Sequence, residues 1–239
     1  MKILLIFIYI TVYLFNSISC QQLYANFLPY QNSQCENESF GIGMSIAVGN
    51  CINGIGSMAG IENDLNWYLF INALRVGIKE FDPIDQDCSG NFTNFYSFKN
   101  STCTITPPFL GYIASNYSAA VKGGLPLNQQ YSRFFITNQP YYGLPNSITQ
   151  VYSKYKNNNC SNTKNLLYSI FISDSLEIQF NQNSTSPTTT TISSISYQCD
   201  SNNDANQDIC KNQSSCNNIL VSTNCKENNL KEEIYCKNN

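Results

Sequence analysis

The chain has no histidine, and this absence limits the chemistry that it can perform. Ser-His-Asp and Cys-His sites use an imidazole as the general base, so neither can be built within these 239 residues. Zinc sites need clusters of imidazoles or thiolates, and the cysteine spacing fits none of the usual patterns. We therefore predict no metal site and no cofactor, and we expect a non-catalytic protein rather than an enzyme.

Basic residues are also scarce. Thirteen Lys and Arg against sixteen Asp and Glu give a formal net charge of −3, and only two of the basic residues are arginines. Nucleic-acid-binding proteins usually carry a basic patch or stripe, and the sequence shows none. We predict no nucleic-acid partner.

Long apolar runs are missing after the first twenty residues. Residues 1–20 have the three parts of a secretory signal peptide: Lys2, an apolar run over residues 3–15, and small polar residues before Cys20. Thirteen apolar residues are fewer than the ~20 that a membrane-spanning helix needs. We predict that residues 1–20 are cleaved, that the mature chain is secreted, and that it has no stable membrane span.

Cysteine is abundant, which agrees with export. Ten of the eleven cysteines follow the predicted signal peptide, an even number that predicts a disulfide framework. They are Cys35, Cys51, Cys88, Cys103, Cys160, Cys199, Cys210, Cys216, Cys225 and Cys236. Sequence alone leaves the pairing open. Neighbours in the chain close the smallest loops and suggest Cys35–Cys51 and Cys88–Cys103.

Sequons for N-glycosylation support the same compartment. The acceptors that we predict are Asn37, Asn91, Asn100, Asn116, Asn183 and Asn212. Asparagine is frequent in this chain, so some of these motifs arise by chance.

The mature chain is rich in β-branched and aromatic residues, which predicts a mainly β fold. We expect a disulfide-stabilised antiparallel sandwich or a meander of hairpins. The clearest strand is FGIGMSIAVG, residues 40–49, in which large apolar residues alternate with small ones. Its large residues should fill the core, and its small face should let another strand or sheet approach closely. Residues 166–172 and 175–180 are further predicted strands.

We predict at most one helix, at about residues 64–78. Trp67, Phe70, Ile71, Leu74 and Ile78 fall on one helical face. The same residues also favour strands, and Gly77 interrupts the pattern, so a strand remains the alternative.

The predicted organisation has three parts. A signal peptide at 1–20 precedes a mainly β extracellular domain at 21–198 and a Cys-rich C-terminal segment at 199–239. Within the domain, residues 104–146 form a Pro/Tyr-rich loop and residues 184–194 form a Ser/Thr-rich loop.

Two motifs suggest chemistry, and each has a simpler interpretation. GIGSMAG, residues 54–60, approaches a dinucleotide fingerprint, but a lone match is weak and a glycine turn is favoured. Glu80, Asp82, Asp85 and Asp87 are paired acids that could hydrolyse glycans or hold Ca²⁺. A solvated acidic turn is the favoured interpretation of this cluster.

Binding is the function that remains. Tyr-rich loops that also contain Asn, Ser and Gly suit adaptable recognition. Tyr141 and Tyr142 lie between Pro140 and Pro145, which predicts a constrained, exposed loop and makes this pair the candidate binding residues. We predict a secreted protein that acts in extracellular binding, adhesion or signalling, with a glycan or an extracellular protein as partner. The alternatives are a carboxylate-dependent glycan hydrolase and a structural matrix component.

Overall fold

The computed structural model describes residues 21–53, 66–73, 75–106, 118–121, 129–144, 148–156, 162–181, 192–211, 215–223 and 232–238. In these residues the regular secondary structure is nearly all strand, and the sheets are antiparallel, which confirms the predicted mainly β fold. The one helical turn described is a short 3₁₀ turn at Thr163–Asn165. Within the described residues, no helix has the length and apolarity that a membrane crossing requires.

Sixteen strands are described. In chain order they are β1 (Tyr24–Tyr30), β2 (Ile42–Ala47), β3 (Cys51–Asn53), β4 (Asn66–Asn72), β5 (Arg75–Phe81), β6 (Asn94–Lys99), β7 (Thr102–Ile105), β8 (Ser118–Val121), β9 (Tyr131–Thr137), β10 (Ile148–Tyr155), β11 (Leu166–Ser173), β12 (Leu176–Asn181), β13 (Ile192–Cys199), β14 (Ala205–Lys211), β15 (Cys216–Leu220) and β16 (Glu232–Asn238).

These strands form three sheets. A seven-stranded sheet has the order β16-β10-β11-β2-β1-β9-β7, a five-stranded sheet has the order β15-β14-β13-β12-β8, and a four-stranded sheet has the order β3-β4-β5-β6. The segment predicted as a loop at 104–146 contributes β8, β9 and the end of β7, so it is not irregular throughout. In the C-terminal segment, β16 joins the seven-stranded sheet and β14 and β15 belong to the five-stranded sheet.

One main core lies on the inner face of the seven-stranded sheet. Phe27, Met44 and Phe134 occupy one row across β1, β2 and β9 and are fully buried. The same core includes Trp67 from the four-stranded sheet and Ile195 from the five-stranded sheet. The inner faces of the three sheets therefore share one apolar core, as packed sheet layers require.

The alternating strand that the sequence predicts is β2. Ile42, Met44 and Ile46 are buried on the inner face, as expected, whereas Phe40 precedes the strand and is 37% exposed. The small face is also buried, because Gly43 lies opposite Phe171 of β11 and a Cβ at Gly43 would overlap that ring. The close approach predicted for the small face is made by this ring.

The helix predicted at about 64–78 is wrong. The described residues of this segment belong to the paired strands β4 and β5, in which Trp67 pairs with Glu80 and Phe70 pairs with Gly77. A period of two explains the sequence better, because Trp67 and Leu69 enter the core while Phe70 points outward. Residues Trp67 and Phe70, which a helix would place on one face, therefore lie on opposite faces.

The two disulfide pairings suggested from sequence are also wrong. The structure pairs Cys35 with Cys103, Cys51 with Cys88, Cys199 with Cys236 and Cys210 with Cys216. Proximity in the sheets decides these bonds rather than proximity in sequence. Cys160 and Cys225 lie outside the described residues. So do the predicted signal peptide, the glycine motif at 54–60 and the greater part of the Ser/Thr-rich loop.

Candidate binding site

The outer face of the four-stranded sheet carries a group of aromatic rings around a lysine, two of them exposed and two partly buried. Because side chains alternate along a strand, burial of Trp67 and Leu69 turns Tyr68 and Phe70 outward on β4. The paired strands add Lys79 of β5 and Phe95 of β6, and Phe92 lies just before β6. We call this set the aromatic face: Tyr68, Phe70, Lys79, Phe92 and Phe95.

The rings of the aromatic face form a continuous series. The centroids of Tyr68 and Phe70 are 6.5 Å apart, and those of Phe70 and Phe95 are 6.1 Å apart, with interplanar angles of 21° and 24°. Phe92 extends the series with its centroid 6.3 Å from that of Phe95. Phe92 and Phe95 are 47% and 50% exposed. Such a cluster on one sheet face is the kind of apolar surface that marks an interaction site.

Lys79 lies among these rings. Its Nζ is 5.6 Å from the centroid of Phe70 and 5.2 Å from that of Phe92, which are distances of cation–π contacts. The contacts hold the ammonium group at the surface of the aromatic face. A ligand on this face therefore meets apolar rings and a positive charge together.

Basic side chains bound one end of the aromatic face. Asn72, Ala73, Arg75 and Lys99 line an open cavity of about 510 Å³ at the β4–β5 turn. The Arg75 guanidinium is held in place because Nε donates to Ser97 Oγ at 2.8 Å and a terminal nitrogen donates to Ser97 O at 3.2 Å. In the described part of the chain, neither Arg75 nor Lys99 forms an ion pair with a carboxylate.

An acidic loop bounds the other end. The Cys51–Cys88 disulfide and Asn66, whose Nδ2 donates to the carbonyl of Asp85 at 2.9 Å, anchor this loop. Asp85 accepts a hydrogen bond from the backbone N–H of Gly90 at 2.8 Å, and Asp87 accepts one from that of Ser89 at 3.2 Å. These carboxylates cap the turn.

The same contacts bear on the hydrolase alternative. Hydrogen bonds, chiefly from Ser89, lower the pKa of Asp87, which keeps it ionised. A general acid for glycan hydrolysis needs a raised pKa. Glu80 is buried instead on the inner side, where Asn94 Nδ2 donates to its Oε1 at 2.6 Å. The acidic cluster is thus a hydrogen-bonded turn.

Tyr141 and Tyr142 lie on a different surface, the outer face of the seven-stranded sheet. They belong to residues 139–144, which we call the strap because this segment crosses that face. Pro140, Gly143 and Leu144 of the strap are buried, and Tyr141 and Tyr142 are half-buried. The predicted pair is therefore not a freely exposed loop.

The strap is fastened by hydrogen bonds to small polar residues. The N–H of Tyr141 donates to Ser45 Oγ at 3.2 Å, and Ser45 Oγ donates to Asn26 Oδ1 at 2.7 Å. The N–H of Leu144 donates to Thr149 Oγ1 at 3.1 Å. The ring of Tyr141 stands edge-on to Phe135 with centroids 5.1 Å apart. These contacts make Tyr141 a packing residue of the strap.

Tyr142 of the strap packs with a cluster of tyrosines that includes Tyr24 and Tyr155. Tyr155 donates to Glu233 Oε2 at 3.3 Å, and the Nζ of Lys237 lies 5.7 Å from the centroid of Tyr142. Burial raises the pKa of Tyr24 to about 12 and is the main cause of raised pKa values at Tyr142, Tyr155 and Tyr235. The phenols are kept neutral in the folded protein, so these tyrosines pack together as part of the core.

Three of the six predicted glycosylation acceptors are among the residues that the structure describes. Asn37 and Asn91 are exposed, and Asn91 immediately precedes Phe92 of the aromatic face. Asn100 is half-buried, and its Oδ1 accepts a hydrogen bond from the N–H of Ile136 at 3.0 Å. Asn116, Asn183 and Asn212 lie outside the described residues.

The aromatic face was missed by sequence reasoning, although a signal for it exists. NWYLF and NFYSF are rich in aromatic residues that favour strands, and the period of two of a strand would place Tyr68 and Phe70 on the face opposite Trp67 and Leu69. Assigning a helix to the first of these segments merged its inward and outward residues into one face. The hairpin separates them and brings Phe95 of β6 beside Phe70.

Comparison with known proteins identifies a family. Residues 1–238 match the family model described as counting factor-associated protein A/B/C. No curated protein and no solved structure matches the chain. The family description names an association and no reaction, so it assigns neither a catalytic nor a binding residue.

Proposed function

The chain belongs to the counting factor-associated protein A/B/C family, and we propose that it is a secreted, N-glycosylated, non-catalytic binding protein of the extracellular space. Its role in this proposal is adhesion or signalling through an extracellular partner. The family description supports a protein that works by association. The four disulfides support an oxidising compartment.

The observation that carries the proposal is the aromatic face. Four aromatic rings and Lys79 lie together on one side of a sheet, and two of the rings, Phe92 and Phe95, are about half exposed. A few residues carry most of the binding free energy at interfaces, and aromatic side chains are common among them. We therefore assign the binding role to the aromatic face rather than to Tyr141 and Tyr142, which fasten the strap.

A structural matrix component is the second candidate, and β15 favours it. This strand lies at one end of the five-stranded sheet, and Ile219 and Leu220 on it are 42% and 62% exposed. An exposed strand with apolar side chains can pair with another chain. Self-association of the secreted protein at high concentration is the expected sign of this role.

The proposed function is tested first by export. Protein recovered from culture medium should lack residues 1–20 and should lose mass on enzymatic removal of N-glycans. Intact mass spectrometry with and without reduction measures both. Retention of the N-terminal segment, or a chain with mostly free thiols, would contradict the proposed compartment.

The binding role is tested with two matched pairs of substitutions. Phe70→Ser with Phe95→Ser should weaken binding of the labelled protein to the surface of the producing cells by at least about tenfold, because exposed aromatic residues at interfaces contribute strongly. Ile219→Ser with Leu220→Ser removes comparable apolar surface from β15 and should leave binding unchanged. Equal loss in both variants, or no loss in the first, would contradict the role of the aromatic face.

A further inference from the structure

We propose that the ligand of the aromatic face is an acidic glycan, a sugar chain that carries carboxylate or sulfate groups. The chain lies across the rings of the aromatic face and places an anionic group in the cavity lined by Arg75 and Lys99. This inference rests on the proposed binding function and names the class of its partner.

The rings account for the sugar part of the ligand. One face of a pyranose ring carries C–H groups with partial positive charge, which pack favourably on the negative face of an aromatic ring. Tyr68, Phe70 and Phe95 lie in series with centroids 6.1–6.5 Å apart and nearly parallel planes. A linear chain of sugars, which has a repeated apolar face, matches such a series.

The cations account for the acidic part. Lys79 lies within the aromatic face, and Arg75 and Lys99 are exposed at one end of it. A guanidinium binds a carboxylate or sulfate through paired N–H donors, and the two hydrogen bonds to Ser97 hold Arg75 in position before the ligand arrives. The protein as a whole has a formal charge of −3, so this group of cations gives a local positive charge on a protein of negative net charge.

The acidic loop sets the direction of the ligand. Asp82, Asp85 and Asp87 lie beyond the Cys51–Cys88 disulfide at the opposite end from Arg75. An anionic group is repelled from that end and attracted to the cavity, since unlike charges attract over several ångströms even near water. The most acidic sugar therefore occupies the cavity, and less charged sugars extend across Phe70 and Phe95.

The cavity has the size for such a group. At about 510 Å³ it lies within the range of about 300–1,000 Å³ that is usual for small-ligand sites. Asn72 adds an amide that can bond sugar hydroxyls.

The test compares acidic glycans with their neutral counterparts. The secreted protein and its Asn91→Gln variant, which removes the predicted glycan beside Phe92, are titrated with two matched pairs of probes at physiological ionic strength. The pairs are oligogalacturonate with its methyl ester and dextran sulfate with dextran. We expect at least one acidic probe to bind at least about tenfold more tightly than its neutral counterpart. This difference should appear with the glycosylated protein or with the Asn91→Gln variant, and rising salt concentration should weaken the binding.

Charge-matched variants then locate the site. Arg75→Gln with Lys99→Gln should weaken binding of the acidic probe about tenfold, whereas Lys164→Gln with Lys211→Gln, which removes two exposed cations elsewhere, should not. Phe70→Ser with Phe95→Ser should weaken binding of the same probe. All four substituted cations are exposed, so the melting temperatures should agree with that of the unaltered protein.

Three outcomes would overturn the inference: neutral and acidic probes bind equally, the Arg75/Lys99 and Lys164/Lys211 variants lose binding equally, or single-stranded DNA binds more tightly than either acidic glycan. The proposed function fails separately. If cell-surface binding still depends on Phe70 and Phe95 while no acidic glycan binds, the aromatic face remains a binding site and only the acidic glycan is rejected.

Discussion

The outer faces of the seven-stranded and four-stranded sheets share one arrangement, a glycine opposite a phenylalanine, which is buried on the first sheet and accessible on the second. In each, a glycine lies opposite a phenylalanine on the neighbouring strand, Gly43 with Phe171 and Gly77 with Phe70. Phe171 is fully buried in a cluster with Leu144 of the strap, whereas Phe70 is only partly buried. A phenylalanine over a glycine is therefore core on one sheet and accessible surface on the other.

The difference lies in what covers each face. Beneath the strap, the seven-stranded sheet presents small polar groups. Ser45 and Asn26 hydrogen-bond to each other; Ser45 also accepts a hydrogen bond from the strap, and Asn26 also donates one to strand β9. The four-stranded sheet has its acidic loop at one end, over Asn66, and leaves its rings exposed. A buried face must satisfy its polar groups internally, while an exposed face need not.

The largest effect is expected from a side chain added at Gly43, on the strap-covered face of the seven-stranded sheet. Gly43→Leu should prevent folding, because its Cβ would overlap the Phe171 ring and lie 2.7 Å from the carbonyl oxygen of Phe27, with no space to move. Overpacking of a core costs about 1–3 kcal/mol or more, and here backbone is involved. The yield of secreted protein and its melting temperature measure the effect.

Gly77→Leu is the matched control. Its Cβ would also meet a phenylalanine ring, but Phe70 can rotate toward solvent. We expect secretion near the normal level and a change in unfolding free energy below about 1 kcal/mol. Similar yields for the two variants would show that the strap does not confine Phe171.

A smaller effect is expected from loss of Ser45, one of the small polar residues beneath the strap. Ser45→Ala removes the group that donates to Asn26 and accepts from the N–H of Tyr141, so two buried polar atoms lose a partner. We expect a loss of about 1–3 kcal/mol in the free energy of unfolding. Ser97→Ala removes a hydroxyl from the exposed face and should cost less than about 1 kcal/mol; denaturant titration separates the two.

A further loss of stability is expected at alkaline pH. The pKa of Tyr24 is raised to about 12 in the folded protein, above the usual value of about 10, so the folded state favours the neutral phenol. The associated stability is complete below pH 10 and is lost as the pH rises from about 10 through 12, by about 1 kcal/mol at pH 11 for Tyr24.

Denaturant titration between pH 8 and 12 tests this linkage. Tyr24→Phe should flatten the decline. A decline that is the same in Tyr24→Phe would assign it to other groups of the cluster, such as Tyr142 and Tyr155, rather than to Tyr24.

Strands could be predicted where the two faces differ in chemistry, and also at residues 166–172, a short apolar run that forms β11 and is buried on both faces. The alternation of β2 and of residues 175–180 identified strands that the structure contains. The hairpin β4–β5 was assigned to a helix because its large apolar residues also fit one helical face, although residues 75–79 of β5 alternate polar or small residues with apolar ones. The candidate binding residues were placed at Tyr141 and Tyr142 because prolines flank them, while the helix assignment hid the grouping of Phe70 with Phe95.

The sequence by itself determined the mainly β fold and the supply of cysteines, because strand propensity and cysteine content are properties of residues taken singly or with near neighbours. The tertiary structure decided which cysteines pair and which aromatic rings stay exposed. Cys35 reaches Cys103 across 68 residues, and the strap covers one sheet face while the aromatic face stays open. These outcomes depend on which strands become neighbours, and that is set by packing of the whole core.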